Sequence, residues 1–90
     1  MSKITGWTEI FEYHPSIVKS WENTHRDGKL PRRKVRVRQF KAYQMSYNAQ
    51  IETGTPSSPE FTLDRISNGS FNKQDEIEKA IRWMKSHPRG

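Results

Sequence analysis

The sequence predicts a small α+β domain: an antiparallel sheet of three or four strands, a C-terminal amphipathic helix packed on one face of that sheet, and a short N-terminal helix. Three observations favour this fold. Apolar and polar residues alternate from Val35 onwards, apolar residues have helical spacing after Asn72, and Pro15 precedes a short apolar cluster. The 90 residues leave room for one domain over 1–90, with a modest core.

The N-terminal quarter admits two interpretations over residues 7–13. Their apolar residues fit both the alternation of a strand and the spacing of a helix, and their Thr, Ile, Phe and Tyr content favours a strand. Pro15 suits the first turn of a helix, and Ile17, Val18 and Trp21 follow on one helical side. The spacing therefore predicts a helix over about 15–23.

A period of two extends over residues 34–51, where the apolar side chains lie at odd positions. A single strand of this length would span roughly 59 Å at about 3.3 Å per residue. That is twice the roughly 30 Å diameter of a domain this size. The alternation fails around Gln39–Ala42, which predicts two strands joined by a turn or a sharp bulge. The alternatives are a strongly bent ribbon and a strand that protrudes to pair with another chain. An unpaired edge at 43–52 would support a homodimer.

The last two elements follow a Gly/Pro/Ser loop at 53–59. Alternation around 61–66 predicts a third short strand. Asn72 is a good N-cap with Asp75 three residues later, which predicts the start of the C-terminal helix. The apolar residues with helical spacing are Ile77, Ala80, Ile81 and Met84.

The excess positive charge of the chain lies in one segment, Arg26 to Lys41. This segment has eight Lys/Arg and one Asp, a net of +7, whereas the whole chain has a net of +6, so the remainder sums to −1. Concentrating charge costs self-repulsion and creates a field that attracts an anionic partner. The segment is predicted to be a turn at Asp27-Gly28 that leads into a basic strand.

Strand parity arranges this charge into a row. If Val35 and Val37 face the core, the basic residues between and around them project from the opposite face, about 6.6 Å apart. Arginine favours bidentate contacts with phosphate, and an exposed ring on the same face, that of Phe40, suits stacking on bases. The predicted function is non-catalytic binding of DNA or RNA. The predicted site residues are Arg32, Arg33, Lys34, Arg36, Arg38, Phe40 and Lys41.

Two other interpretations of the row stay open. The chain can be a protein-interaction module, such as a small regulatory or inhibitory factor, that docks on an acidic protein surface. The row can also be a solvated strand, neutralised by cross-strand pairs with acids. The acids considered for this role are Glu9, Glu12, Glu52 and Glu60. Phe40 then belongs to a second apolar cluster under the N-terminal segment.

The composition gives no indication of an enzyme, a metal site or a cofactor. The chain has no cysteine, and His14, His25 and His87 lack the spacing of metal ligands. No nucleophile elbow or phosphate-binding loop occurs. The sequence has no signal-like or membrane-length apolar run, so we expect a cytoplasmic protein with no membrane partner.

The order of three strands and a helix, closed by the segment GSFNKQDEIEKAIRWMK, resembles the small sheet-plus-helix domains that begin some tyrosine recombinases. This resemblance implies a sheet presented to DNA. The double-stranded RNA-binding domain is a looser comparison, because its basic signature starts the last helix, where this chain has Lys73 followed by Asp75 and Glu76. Neither resemblance identifies a family.

Overall fold

The structure is a computed structural model that describes residues 4–24, 32–41 and 44–89. In these residues five strands form one antiparallel sheet in chain order, and a helix follows. The elements are β1 Trp7–Ile10, β2 Ile17–Asn23, β3 Arg33–Lys41, β4 Met45–Thr53, β5 Thr62–Arg65 and α1 Lys73–Ser86. The α+β class with a C-terminal helix is confirmed, whereas the expected three or four strands are five.

The long alternating segment forms two strands, as predicted. β3 ends at Lys41 and β4 begins at Met45, and the two pair in register with Val35 opposite Ile51 and Val37 opposite Ala49. All four of these apolar side chains are buried, because each lies on the sheet face against which α1 packs. The turn predicted at Asp27-Gly28 lies outside the described residues.

The predicted N-terminal helix is wrong, because residues 17–23 form β2 instead. β2 pairs with β3 and satisfies the backbone groups along one edge of that strand, which a helix would leave without partners. The register shifts between Ile17 and Lys19, so Ile17 lies opposite Arg38 while Trp21 lies opposite Val35. This bulge turns Ile17 and Trp21 to opposite faces of the sheet, so the two residues that would share one side of a helix do not share a face here.

The preference for a strand over 7–13 is confirmed for Trp7–Ile10, where β1 pairs with β2. The short strand expected around 61–66 is β5, and its residues are all exposed. β4 therefore pairs with β3 on one side and, over Gln50–Thr53, with β5 on the other. β4 thus has neighbours on both sides, so the edge expected at 43–52 is not free where the structure describes it. A homodimer through a sheet edge stays a prediction.

The helix begins where the sequence predicts. The side chain of Asn72 accepts hydrogen bonds from the backbone N–H of Gln74 at 3.0 Å and of Asp75 at 3.2 Å. Buried Ile77, Ala80 and Met84 pack against β3 and β4, while Ile81 is half-buried. This helix is too short and too polar to cross a membrane, and the described residues contain no other candidate.

The C-terminal end of α1 is tied to the first two strands. The indole Nε1 of Trp7 donates to the backbone oxygen of His87 at 2.9 Å, and the Asn23 amide donates to that of Pro88 at 3.1 Å. Gly6, at a φ of 85°, lies so close to Pro88 that a Cβ there would collide with its carbonyl. These contacts hold α1 on one side of the sheet, and no helix of the described ranges lies on the other side.

Candidate nucleic-acid interface

The sheet face opposite α1, here called the open face, presents the basic row. Register pairing puts side chains from all five strands on it. They include Ile10, Ser20, Glu22, Lys34, Arg36, Arg38, Phe40, Asn48, Gln50, Glu52, Leu63 and Arg65. No described helix packs on this face. The predicted geometry of a basic row behind two core valines is therefore present.

The predicted site residues do not all share this face. Lys34, Arg36, Arg38 and Phe40 do, and exposed Arg32 directly precedes the strand. By contrast, Arg33 and Lys41 have the parity of Val35 and Val37, so they flank the row from the α1 side. Arg33 is half-buried and Lys41 is exposed at the strand end.

The centre of the row is a network of ion pairs around Arg36. Its Nε and Nη2 donate to the two carboxylate oxygens of Glu12 at 2.7 and 2.8 Å, and its Nη1 donates to Glu52 at 2.7 Å. The side chain of Arg36 is only 11% exposed. Glu12 thus occupies the Nε/Nη2 edge of the guanidinium in the bidentate geometry that a phosphate would otherwise adopt, and Glu52 accepts one further hydrogen bond at Nη1.

This network shifts the ionisation of its members. The hydrogen bonds from Arg36 hold the pKa of Glu12 at about 2, despite the opposing effect of burial. The carboxylates of Glu12 and Glu52 raise the pKa of Arg36 above its ordinary value. Both groups therefore stay charged at neutral pH, and they neutralise one another.

Two neighbours of Arg36 also have acidic partners. The ammonium of Lys34 lies 3.5 Å from Glu12, and the guanidinium of Arg32 lies 3.6 Å from Glu22. Two of the acids considered from the sequence, Glu12 and Glu52, thus neutralise part of the row. Of the other two, Glu9 pairs with Lys19 at 3.2 Å.

Arg38 differs from Arg36, because no carboxylate of the described residues pairs with it. Its Nε is buried and has no hydrogen-bond partner in the described part of the chain. The side-chain oxygens of Asn48, which lies opposite Arg38 on β4, and of Gln50 are also buried without a hydrogen-bond partner among the described residues. Arg38 is therefore the arginine of the row whose charge no described carboxylate neutralises.

Two aromatic rings that the sequence analysis did not assign to the site lie in the β1–β2 loop, residues 11–16. Phe11 is 84% exposed and Tyr13 is 95% exposed, and their ring centroids are 5.9 Å apart in an edge-to-face arrangement. Glu12 between them reaches Arg36. The sequence contains a signal for this loop. Phe11 and Tyr13 flank the acidic Glu12, and Pro15, where a strand is expected to end, follows them closely.

The β1–β2 loop is held against the end of β3. The backbone N–H of Gln39 donates to the carbonyl of Ser16 at 2.9 Å, and the Gln39 amide donates to that of Pro15 at 2.6 Å. Phe40, which is 44% exposed, follows Gln39 on the open face. Phe11, Tyr13 and Phe40 therefore lie at the same end of the sheet. We call this end, defined by the three rings, the aromatic end.

Histidines and acids do not assemble into a metal site in the part of the chain that the structure describes. His14 is exposed, and the ring of His87 stacks on Trp83 with centroids 4.1 Å apart. Comparisons with protein-family models, with curated proteins and with solved structures found no match.

Proposed function

We propose that the protein binds DNA or RNA without catalysis, through the open face. One observation supports this proposal above the others: a five-stranded sheet has a face free of described helices, and the basic row lies on that face. Phosphate is the anion that arginine binds best in bidentate geometry. The proposed setting is the cytoplasm, since a chain without cysteine needs no oxidising compartment.

The ion pairs give the basic residues different roles. Arg36 and Lys34 already have carboxylate partners, so they shape the face and contribute little free charge. Direct phosphate contacts fall to Arg38, to exposed Lys41 and to Arg65, which lies across Gln50 on the open face. Arg33 and Arg32 add to the field at the other end of β3.

Titration of DNA and RNA at several salt concentrations tests the proposal. With three phosphates engaged, log affinity should fall with log salt at a slope of about −3 on duplex DNA and about −2 on a single strand. Arg38→Gln should weaken binding and make the slope shallower by about 0.7–0.9. Absence of salt-sensitive binding to every nucleic acid tried would reject the proposal.

A second function, docking on an acidic protein surface, is favoured by the mixed charge of the row. Arg32, Lys34 and Arg36 are paired with carboxylates, so the face presents both signs of charge, and a complementary charge pattern gives specificity for a protein partner. The two functions are distinguished by comparing the affinity for an oligonucleotide with the affinity for polyglutamate of the same charge. We expect the oligonucleotide to bind more tightly; equal affinity and equal salt slopes would favour the protein-interaction module.

A further inference from the structure

We infer that the nucleic acid is single-stranded and that its unpaired bases stack on the rings of Phe11, Tyr13 and Phe40. This inference rests on the proposed function and names its ligand more closely. Bases in a duplex turn their faces toward one another, so only unpaired bases can stack on a protein ring. Each base stacked on an aromatic side chain contributes strongly to single-strand affinity, and every base has a face to offer.

The exposure of the rings is the first argument. Phe11 is 84% and Tyr13 is 95% exposed, whereas the strand residues Trp7 and Trp21 are buried. Phe71, before α1, is also 67% exposed, but the β1–β2 loop presents two exposed rings side by side. These two rings bury little apolar area in the free protein, so folding does not explain them. Stacking on a ligand removes that exposed area from water.

The second argument is that the β1–β2 loop is anchored at both sides of the rings. Glu12 is bound by Arg36 through two hydrogen bonds, and Pro15 and Ser16 are bound by Gln39. The loop is thus positioned before a ligand arrives, which lowers the entropy cost of binding. The carboxylate of Glu12 is directed to the sheet, so its charge is neutralised by Arg36 instead of repelling phosphate.

The third argument is the distribution of free charge around the aromatic end. Arg38 and Lys41 flank Phe40 in sequence, and neither has an acidic partner in the described ranges. The central cations, by contrast, are paired. Few phosphate contacts beside several rings are typical of single-strand binding, whereas duplex binding relies on many phosphate contacts.

A cleft of about 320 Å³ is lined by one of these rings, that of Phe11. Ile10, Phe11 and Ile17 contribute apolar walls, and Glu12 and Ser20 contribute polar ones. An apolar wall next to an exposed ring suits the flat face and polar edge of a nucleobase. The cleft thus extends the stacking surface from the loop toward the open face.

The experiment compares three ligands of about ten nucleotides: oligothymidylate, the same backbone without bases, and the corresponding duplex. We expect oligothymidylate to bind at least about a hundredfold more tightly than the abasic backbone, because the roughly 5-fold effects of three stacked bases multiply. The variants Phe11→Leu, Tyr13→Leu and Phe40→Leu keep an apolar side chain but lose the ring. Each should weaken oligothymidylate binding about 5-fold or more without changing its salt slope, because no cation is removed.

Phe71→Leu is the matched control, since Phe71 is a 67% exposed ring in the segment that leads into α1, outside the open face. It should leave affinity unchanged, and circular dichroism should show every variant folded. Equal binding of the abasic backbone or the duplex, or variants of Phe11, Tyr13 and Phe40 that bind like the wild type, would overturn the inference while leaving the proposed function in place. Failure of the wild type to bind any nucleic acid would remove both.

Discussion

Arg36 and Arg38 lie two residues apart on the same face of β3, yet their surroundings give them different roles. Arg36 donates three hydrogen bonds to Glu12 and Glu52 and is nearly buried. Arg38 has no carboxylate partner in the described residues. At the residue scale, the first is a structural cation and the second is the one proposed to contact phosphate.

The substitution Arg36→Gln should lower the free energy of unfolding by about 2–3 kcal/mol, because it leaves two carboxylates close together without their shared cation. Urea denaturation measures this loss. Arg38→Gln is the control on the same face, and it should change stability by less than about 0.5 kcal/mol. Equal losses in both variants would contradict the division of roles.

The pKa of Glu12 at about 2 predicts how stability depends on pH. A carboxyl whose folded pKa lies below its unfolded value of 4.5 stabilises the protein above that value. The stabilisation is lost as the pH falls from about 4.5 towards 2. In Glu12→Gln this contribution is absent, so the difference in free energy of unfolding between the wild type and the variant should shrink as the pH falls over that range. Urea denaturation at a series of pH values measures it, and a constant difference would refute the assignment.

At the element scale, α1 depends on polar contacts around its first turn. Asn72 caps it, and the buried Glu76 receives hydrogen bonds from the hydroxyls of Ser67 and Ser70 and from Lys79. Burial opposes ionisation of Glu76, but these donors outweigh it and lower its pKa. The network joins the start of the helix to the segment that follows β5.

Asn72→Ala should reduce stability by about 1 kcal/mol, because the N–H groups of Gln74 and Asp75 lose their acceptor. Asn72→Ser retains a capping oxygen and should stay close to the wild type. Thermal unfolding of the three proteins compares them. If the serine variant were as unstable as the alanine variant, the loss of stability would not come from the capping oxygen.

β2 shows where sequence reasoning fails at this scale. Ile17, Val18 and Trp21 have helical spacing, and nothing local excludes a helix. The decisive interaction is non-local: β3 needs a hydrogen-bonded neighbour, and β2 provides it with a bulge that moves Ile17 to the open face. By contrast, α1 and the division into β3 and β4 were predictable, because caps and alternation are local signals.

At the scale of the whole molecule, the core is thin and depends on a few side chains. Val35, Val37, Ala49, Ala80 and Met84 are completely buried between the sheet and α1. A domain of this length has a stability of only about 5–13 kcal/mol at typical values per residue. Loss of one large core side chain is therefore a substantial part of the total.

Met84→Ala should lower the free energy of unfolding by about 3 kcal/mol, because it leaves a cavity under α1. Lys85→Ala, at the adjacent exposed position, should have little effect. Urea denaturation of both variants gives the comparison. A loss below about 1 kcal/mol for Met84→Ala would mean that α1 packs less tightly on the sheet in solution than in the structure.

The sequence by itself determined the charge concentration, the parity of the basic row and the extent of α1, because each depends on neighbours within a few residues. Only the tertiary structure decided what the row can do. It brought Glu12 from the β1–β2 loop and Glu52 from β4 onto Arg36, and it left Arg38 without an acidic partner among the residues that the structure describes. It also turned Phe11 and Tyr13 outward beside the end of β3. Pairings between distant segments set these outcomes, and local sequence patterns contain no information about them.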